Sequence, residues 1–265
     1  MTQQEGARNP LRRKFQAKQQ TLGVWVTLES PSITEAAIMM GADWICVDME
    51  HGHLGLKEVM EHVRTVRGSN TAALVRVPSI EQGIVKRVLD IGAHGVLLPL
   101  VRGYEDLALG MSFARYPMDG VRGIGGERSV KWGMGMQDYL KDANEETLVI
   151  PLIETRQAVE DIDRILQVPG LEVIFFGPAD LSATYGYLGD WEGPGVAEKI
   201  LRVRETAERA GVASGIMSMN ESDAQLRYGQ GFNMVGLGSD LGLMIRSAES
   251  AMRRLGRETT PHLWF

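Results

Sequence analysis

A chain of 265 residues with 44% hydrophobic and 23% charged side chains can bury a sizeable core, which excludes an intrinsically disordered protein. A formal net charge of -6 leaves no basic footprint for nucleic acid or for an anionic membrane surface, so a small molecule is the expected partner. The single cysteine, Cys46 in the apolar run Trp44–Val47, excludes an intramolecular disulfide framework and points to a reducing compartment and a buried, inert thiol.

In chain order, residues 1–20 are polar with scattered Arg and Lys, and read as an N-terminal extension rather than a signal or anchor. No later segment offers the roughly 18 uninterrupted apolar residues of a membrane span, so a cytoplasmic protein is expected, with one domain over 21–265. Short apolar runs predict strands at Gly23–Leu28, Trp44–Asp48, Ala73–Arg76, Gly95–Leu98, Leu148–Ile153, Val173–Phe176, Ala213–Met217 and Met234–Gly238. Between and after them, amphipathic stretches predict helices at Ser32–Met40, Leu56–Val66, Ile80–Asp90, Tyr104–Arg115, Ala158–Leu166, Val196–Ala210, Glu221–Tyr228 and Leu241–Arg254. Eight βα units with strands apolar on both faces predict a (β/α)8 TIM barrel; an open doubly wound sheet is the rival. One stretch breaks the rhythm. Residues Tyr116–Tyr139, rich in Gly and Met, form an excursion expected at the N-terminal end of the barrel, from which it would fold back or reach a neighbouring subunit to touch substrate.

In such a barrel the active site lies at the C-terminal ends of the strands, so the polar residues that follow each apolar run are the candidates. They are Asp48 and His51 after strand 2, Arg76 at the end of strand 3, Glu154 after strand 5, and Gly177-Pro178-Ala179-Asp180 after strand 6. Two hard oxygen ligands on adjacent strands, Glu154 and Asp180, suit Mg2+ or Mn2+, whereas capping of two helix N-termini would explain the same acids without a metal. Arg76 would either stabilise an oxyanion or bridge to one of the acids. His51 is a candidate general base; His53, His62, His94 and His262 read as structural or solvated residues. Gly123–Gly126 is no dinucleotide fingerprint because no strand precedes it.

At these residues the sequence resembles the metal-dependent class II 2-oxo-acid aldolases of HpcH/HpaI type. The matching stretches include Asp48-Met-Glu-His51, Leu74-Val-Arg76, Leu89-Asp-Ile-Gly92, Ile153-Glu-Thr-Arg156, Phe176-Gly-Pro-Ala-Asp-Leu-Ser182 and Gly236-Leu-Gly-Ser-Asp240. The resemblance implies reversible cleavage of a 4-hydroxy-2-oxo acid into pyruvate or hydroxypyruvate and an aldehyde, through an enolate stabilised by Mg2+, Mn2+ or Co2+. It implies that Glu154 and Asp180 ligate the metal and Arg76 stabilises the enolate oxygen. It implies that His51 with Asp90, and Asp48 nearby, form the acid–base machinery, and that Gly177, Pro178, Ala179 and Asp180 hold the substrate carboxylate. It also implies a homohexamer built as a trimer of dimers. Leu152 departs from the Gln common in relatives, and Lys131 before Trp132 departs from their Arg. The alternatives are another chemistry on the same enolate, such as 2-oxo-acid decarboxylation or CoA-ester lysis, or a non-catalytic ligand-binding protein. The apolar end Pro261–Phe265 reads as a subunit contact or an intrachain dock.

Overall fold

Parallel strands buried on both faces can satisfy their edges only by closing on themselves, and that is what the computed structural model shows for the described residues, 9–262 and Trp264. The strands β1 (Thr21–Val26), β2 (Trp44–Asp48), β3 (Ala72–Arg76), β4 (Gly95–Leu98), β5 (Leu148–Ile153), β6 (Val173–Phe176), β7 (Ala213–Met217) and β8 (Met234–Ser239) pair in sequence order, and β8 returns to β1. The barrel expected from the eight βα units is therefore formed. Around it, in chain order, lie α1 (Pro10–Gln16), α2 (Pro31–Met39), α3 (Leu56–Thr65), α4 (Gln82–Ile91), α5 (Tyr104–Ala114) and α6 (Met136–Glu146). They are followed by α7 (Arg156–Glu160), α8 (Ile162–Ile165), α9 (Pro178–Thr184), α10 (Val196–Arg209), α11 (Glu221–Gly229) and α12 (Asp240–Arg254). No helix among the described residues is long and apolar enough to cross a membrane.

Alternation along the strands makes two cores. Ile45, Val47, Ala73, Val75 and Ile153 face outward against the helices, whereas Trp44, Cys46, Ala72, Leu74, Ile150 and Leu152 fill the barrel. The inward series continues upward two residues at a time into polar side chains: Cys46 to Asp48, Leu74 to Arg76, Leu152 to Glu154. The period of two thus delivers three charged groups to the inside of the C-terminal rim.

The N-terminal extension closes the other end. Leu11 of α1 is fully buried with the barrel-interior residues. The Asn9 side chain caps α1 by accepting the N–H groups of Leu11 and Arg12, and its amide donates to His94 O and Glu146 O. Arg12 pairs with Glu146 and Glu172, and Lys14 with Asp43. Residues 1–8 of the extension, Leu263 and Phe265 lie outside the described residues.

Two histidines serve the framework, as expected. His62 is fully buried between Thr34 Oγ1 and Leu28 O, at 2.8 and 3.2 Å, and His94 Nδ1 accepts the Ala73 N–H at 3.1 Å. Cys46 is fully buried, and burial pushes its thiol well above the ordinary range, so it is inert.

The excursion after α5 contains a short 3-10 turn, Arg128–Val130, before α6, a helix the sequence reading did not anticipate. It is pinned to the end of α4. Arg122, fully buried, donates to Asp90 Oδ1 at 2.8 Å and lies 4.5 Å over the Tyr116 ring, while Arg128 donates to Ile91 O at 2.8 Å. Because α4 descends from the C-terminal rim, its last residues and the excursion sit at the N-terminal rim, as helix–strand order requires.

Candidate active site at the C-terminal rim

Asp48 and Arg76 are register partners on β2 and β3, so their inward side chains meet without any help from loops. Arg76 Nε donates to Asp48 Oδ1 at 2.9 Å and Nη2 to Oδ2 at 2.6 Å, a bidentate pair in which both groups are almost wholly buried. Nη1 lies 2.8 Å from Glu50 Oε2, and the guanidinium stacks 5.1 Å over the Trp25 ring. Burial pushes the Asp48 carboxyl up, but the Arg76 hydrogen bonds and charge outweigh it and hold it below the usual range. Burial likewise opposes the Arg76 charge, and the two acids more than restore it. Asp48 also accepts the backbone N–H groups of Glu50 and His51, fixing the loop that carries both.

Glu154 follows β5 and is buried beside Gly177 at the end of β6. A Cβ at residue 177 would come within 2.5 Å of Glu154 Oε2, so only glycine lets the carboxylate lie there. Its Oε1 accepts the Leu100 N–H at 2.6 Å, and Leu100 directs that N–H from a left-handed conformation, φ 51°, that a leucine adopts only under constraint. Burial lifts the Glu154 carboxyl to about 7; the Leu100 N–H opposes this, and the negative charges of Asp180 and Glu50 add to it. Glu50 is raised as well, chiefly by burial and against the pull of Arg76.

The remaining candidates divide. Asp180 stands in the first turn of α9 on the Glu154 side of the rim. Pro178 begins α9 and has no N–H to donate, so within Gly177–Asp180 the amides able to meet a substrate carboxylate at the helix start are those of Ala179 and Asp180. His51 is exposed at the rim in the loop held by Asp48. Two of the expected acid–base residues are placed otherwise within one chain. Asp48 is paired with Arg76 and fixes the arginine. Asp90 is not brought to His51: it ends α4 at the opposite rim, where Arg122 holds it, because a helix antiparallel to the strands carries its last turn away from the strand ends.

Glu50, Leu100 and Trp25 were missed. Glu50 lies inside the matched Asp48–His51 stretch and Trp25 at a strand end, so both were within reach; nothing in the sequence marks Leu100, whose role rests on a backbone angle.

The residues present fit a hard divalent cation. Buried Glu154 beside Asp180 and Glu50 is an excess of negative charge in a poorly solvated place, and carboxylate oxygens are the donors such ions choose. Among the described residues no group of three or more His, Cys, Asp or Glu is arranged to hold a metal, so water and substrate would complete the shell, as is usual for Mg2+.

A closed (β/α)8 barrel with an arginine and buried acids gathered at its C-terminal rim defines an enzyme. Residues 21–247 match the HpcH/HpaI aldolase/citrate lyase family. The chain is 32% identical over 254 residues to a hydroxypyruvate/pyruvate aldolase of Paraburkholderia phytofirmans, covering 93% of this chain and 97% of that one. It is 35% identical over 240 residues to a 5-keto-4-deoxy-D-glucarate aldolase of Escherichia coli, covering 91% and 93%. A solved HpcH/HpaI aldolase/citrate lyase family protein of Burkholderia cenocepacia superposes with a TM-score of 0.88 at 32% identity, over 94% of this chain and all of the other. The chain belongs to the HpcH/HpaI aldolase/citrate lyase family and is a lyase.

Proposed function

We propose that the chain is a cytoplasmic class II aldolase that cleaves a 4-hydroxy-2-oxo acid to pyruvate or hydroxypyruvate and an aldehyde, with a divalent cation, Mg2+, Mn2+ or Co2+, at Glu154 and Asp180. The observation that carries this reading is the buried Glu154 carboxylate, seated against Gly177 where α9 brings in Asp180, across the rim from an Arg76 locked by Asp48 and Glu50. When bound, the cation would supply Lewis acidity to the 2-oxo carbonyl.

The chain's own groups do the rest. Glu154 and Asp180 bind the cation, the Ala179 and Asp180 amides receive the substrate carboxylate, and Arg76, held in place by Asp48 and Glu50, faces the oxygen on which charge develops. In cleavage, a base takes the C4 hydroxyl proton, the C3–C4 bond breaks with its electron pair remaining on the three-carbon fragment, and C3 is then protonated. His51 is the proposed base, working through water. Asp90 reaches a His51 only if a second subunit presents its N-terminal rim, which fits a homohexamer with shared sites and the apolar side chains Met118, Ile124, Trp132 and Met134 exposed on the excursion. Residues 21–265 are the proposed catalytic domain, behind the extension 1–20.

Exchange of the C3 protons of pyruvate in D2O, followed by NMR, tests the reading. It should require an added divalent cation, stop with EDTA and be lost in Glu154→Ala; full exchange in the presence of EDTA would sink the metal-dependent mechanism.

A further inference from the structure

The barrel mouth has two chemically different halves. Asp48, Arg76, Glu154 and Asp180 occupy the side of β2, β3, β5 and β6. On the side of β7, β8 and β1 the inward residues are Met217, glycine and Trp25, and Trp191 from the loop between α9 and α10 packs on the same barrel-interior cluster. Trp25 joins the halves, lying under Arg76 and 5.8 Å from the Phe175 ring.

Four polar side chains at this second side are engaged within the chain. Ser218 Oγ donates to Gly236 O at 2.7 Å, and Ser239 Oγ accepts the Gly242 N–H at 3.0 Å. The Asp240 carboxylate accepts Thr27 Oγ1 at 2.7 Å and the N–H groups of Thr27, Leu28 and Leu241. Asn220 caps α11 through the Asp223 N–H.

The C-terminal tail extends this surface. After α12 the chain turns back along the helix, with Glu249 accepting the His262 N–H and Arg246 donating both to Trp264 O at 3.1 Å and to Leu237 O at the end of β8. Since α12 starts at the mouth, the return carries Trp264 to the rim, where its ring meets Trp191 edge to face, centroids 5.8 Å apart at 90°. About half of Trp264 stays exposed, 48%.

We propose that this apolar half is the subsite for the acceptor aldehyde, that it selects aldehydes with an apolar or aromatic substituent over hydroxylated ones, and that Trp191 and Trp264 form its outer wall. The inference rests on the aldolase reading above. In the condensation direction C3 of the pyruvate enolate bonds to the aldehyde carbon, the carbonyl π pair moves to the aldehyde oxygen, and that oxygen takes a proton. The substituent on the aldehyde carbon then points away from the charged groups, toward the aromatic wall. A hydroxyl placed there gives up its water against ring and hydrocarbon surface.

The test uses the full chain loaded with Mg2+ or Mn2+, pyruvate as donor, and two near-isosteric pairs, propanal against glycolaldehyde and butanal against 3-hydroxypropanal. The apolar member should have the higher kcat/KM by about tenfold to a hundredfold, the range an apolar pocket achieves against an added hydroxyl. Trp264→Ala should raise the KM for butanal and benzaldehyde several-fold with a smaller change in kcat, and Trp264→Phe should restore it; Trp191→Ala should act in the same direction. A preference for the hydroxylated aldehydes, or aldehyde KM values unmoved in Trp264→Ala and Trp191→Ala, overturns the subsite while pyruvate proton exchange still upholds the aldolase. Absence of metal-dependent exchange in the unaltered enzyme overturns the aldolase reading and this inference with it.

Discussion

Arg76 shows what a single position draws from its neighbours. Its guanidinium is held by Asp48 in a fork that lysine cannot reproduce, and by Glu50 and Trp25 on its other faces. Arg76→Lys should therefore lower kcat for aldol cleavage by about a hundredfold or more, the scale on which loss of one oxyanion donor is felt, with little change in secondary structure by circular dichroism. Glu154 makes a prediction of the opposite kind for stability. Its folded carboxyl titrates near 7 and its unfolded one near 4.5, so the metal-free protein loses stability as pH rises between those values. In urea denaturation with EDTA at pH 8, Glu154→Gln should be more stable than the unaltered chain by on the order of 3 kcal/mol, since an amide keeps the Leu100 hydrogen bond without the buried charge. A less stable variant would mean that the charge is compensated within the protein.

Elements rather than single side chains govern the closed end of the barrel. The helix α1 contributes one wholly buried side chain, Leu11, to the barrel interior, and its polar groups grip the chain around it. Leu11→Ala should cost about 2–5 kcal/mol in denaturant unfolding, the usual range for emptying a buried leucine site. Nearby, the turn before β4 depends on a neutral His94. Burial lowers its pKa from 6.5 to about 4 against the Ala73 hydrogen bond, so its contribution is complete above the unfolded pKa and is lost as pH falls toward 4. That loss is on the order of 2 kcal/mol once the partial exposure of the ring is allowed for. His94→Asn, which keeps an acceptor near the Ala73 N–H and does not titrate, should show a flatter stability profile between pH 6.5 and 4 than the unaltered chain. The sequence placed the eight strands to within a residue or two because inward and outward faces are both apolar, and short apolar runs between amphipathic stretches carry that information directly. It did not reveal α6, α9 or the plugging role of α1: a Gly- and Met-rich stretch masks the first, the second is only seven residues long, and a polar terminal segment says nothing of the hole it fills.

For the whole molecule the open matter is how His51 and Asp90, at opposite rims of one barrel, could serve one reaction. Mixing His51→Ala with Asp90→Ala under conditions of subunit exchange should recover up to about a quarter of the unaltered activity if each site takes one residue from each of two subunits, as random pairing in a symmetric oligomer gives. No recovery from a mixture shown to have exchanged would confine Asp90 to its structural pairing with Arg122. The sequence by itself determined the barrel and the identity of the residues at its C-terminal rim, because strand periodicity and strand ends are local properties that survive without coordinates. Only the tertiary structure decided what those residues do to one another. Strand register makes Asp48 the anchor of Arg76, the bare backbone at Gly177 admits Glu154, burial lifts its carboxyl to about 7, and the direction of α4 separates Asp90 from His51. Distances and solvation across the barrel are set by closure of the sheet, and no stretch of sequence contains them.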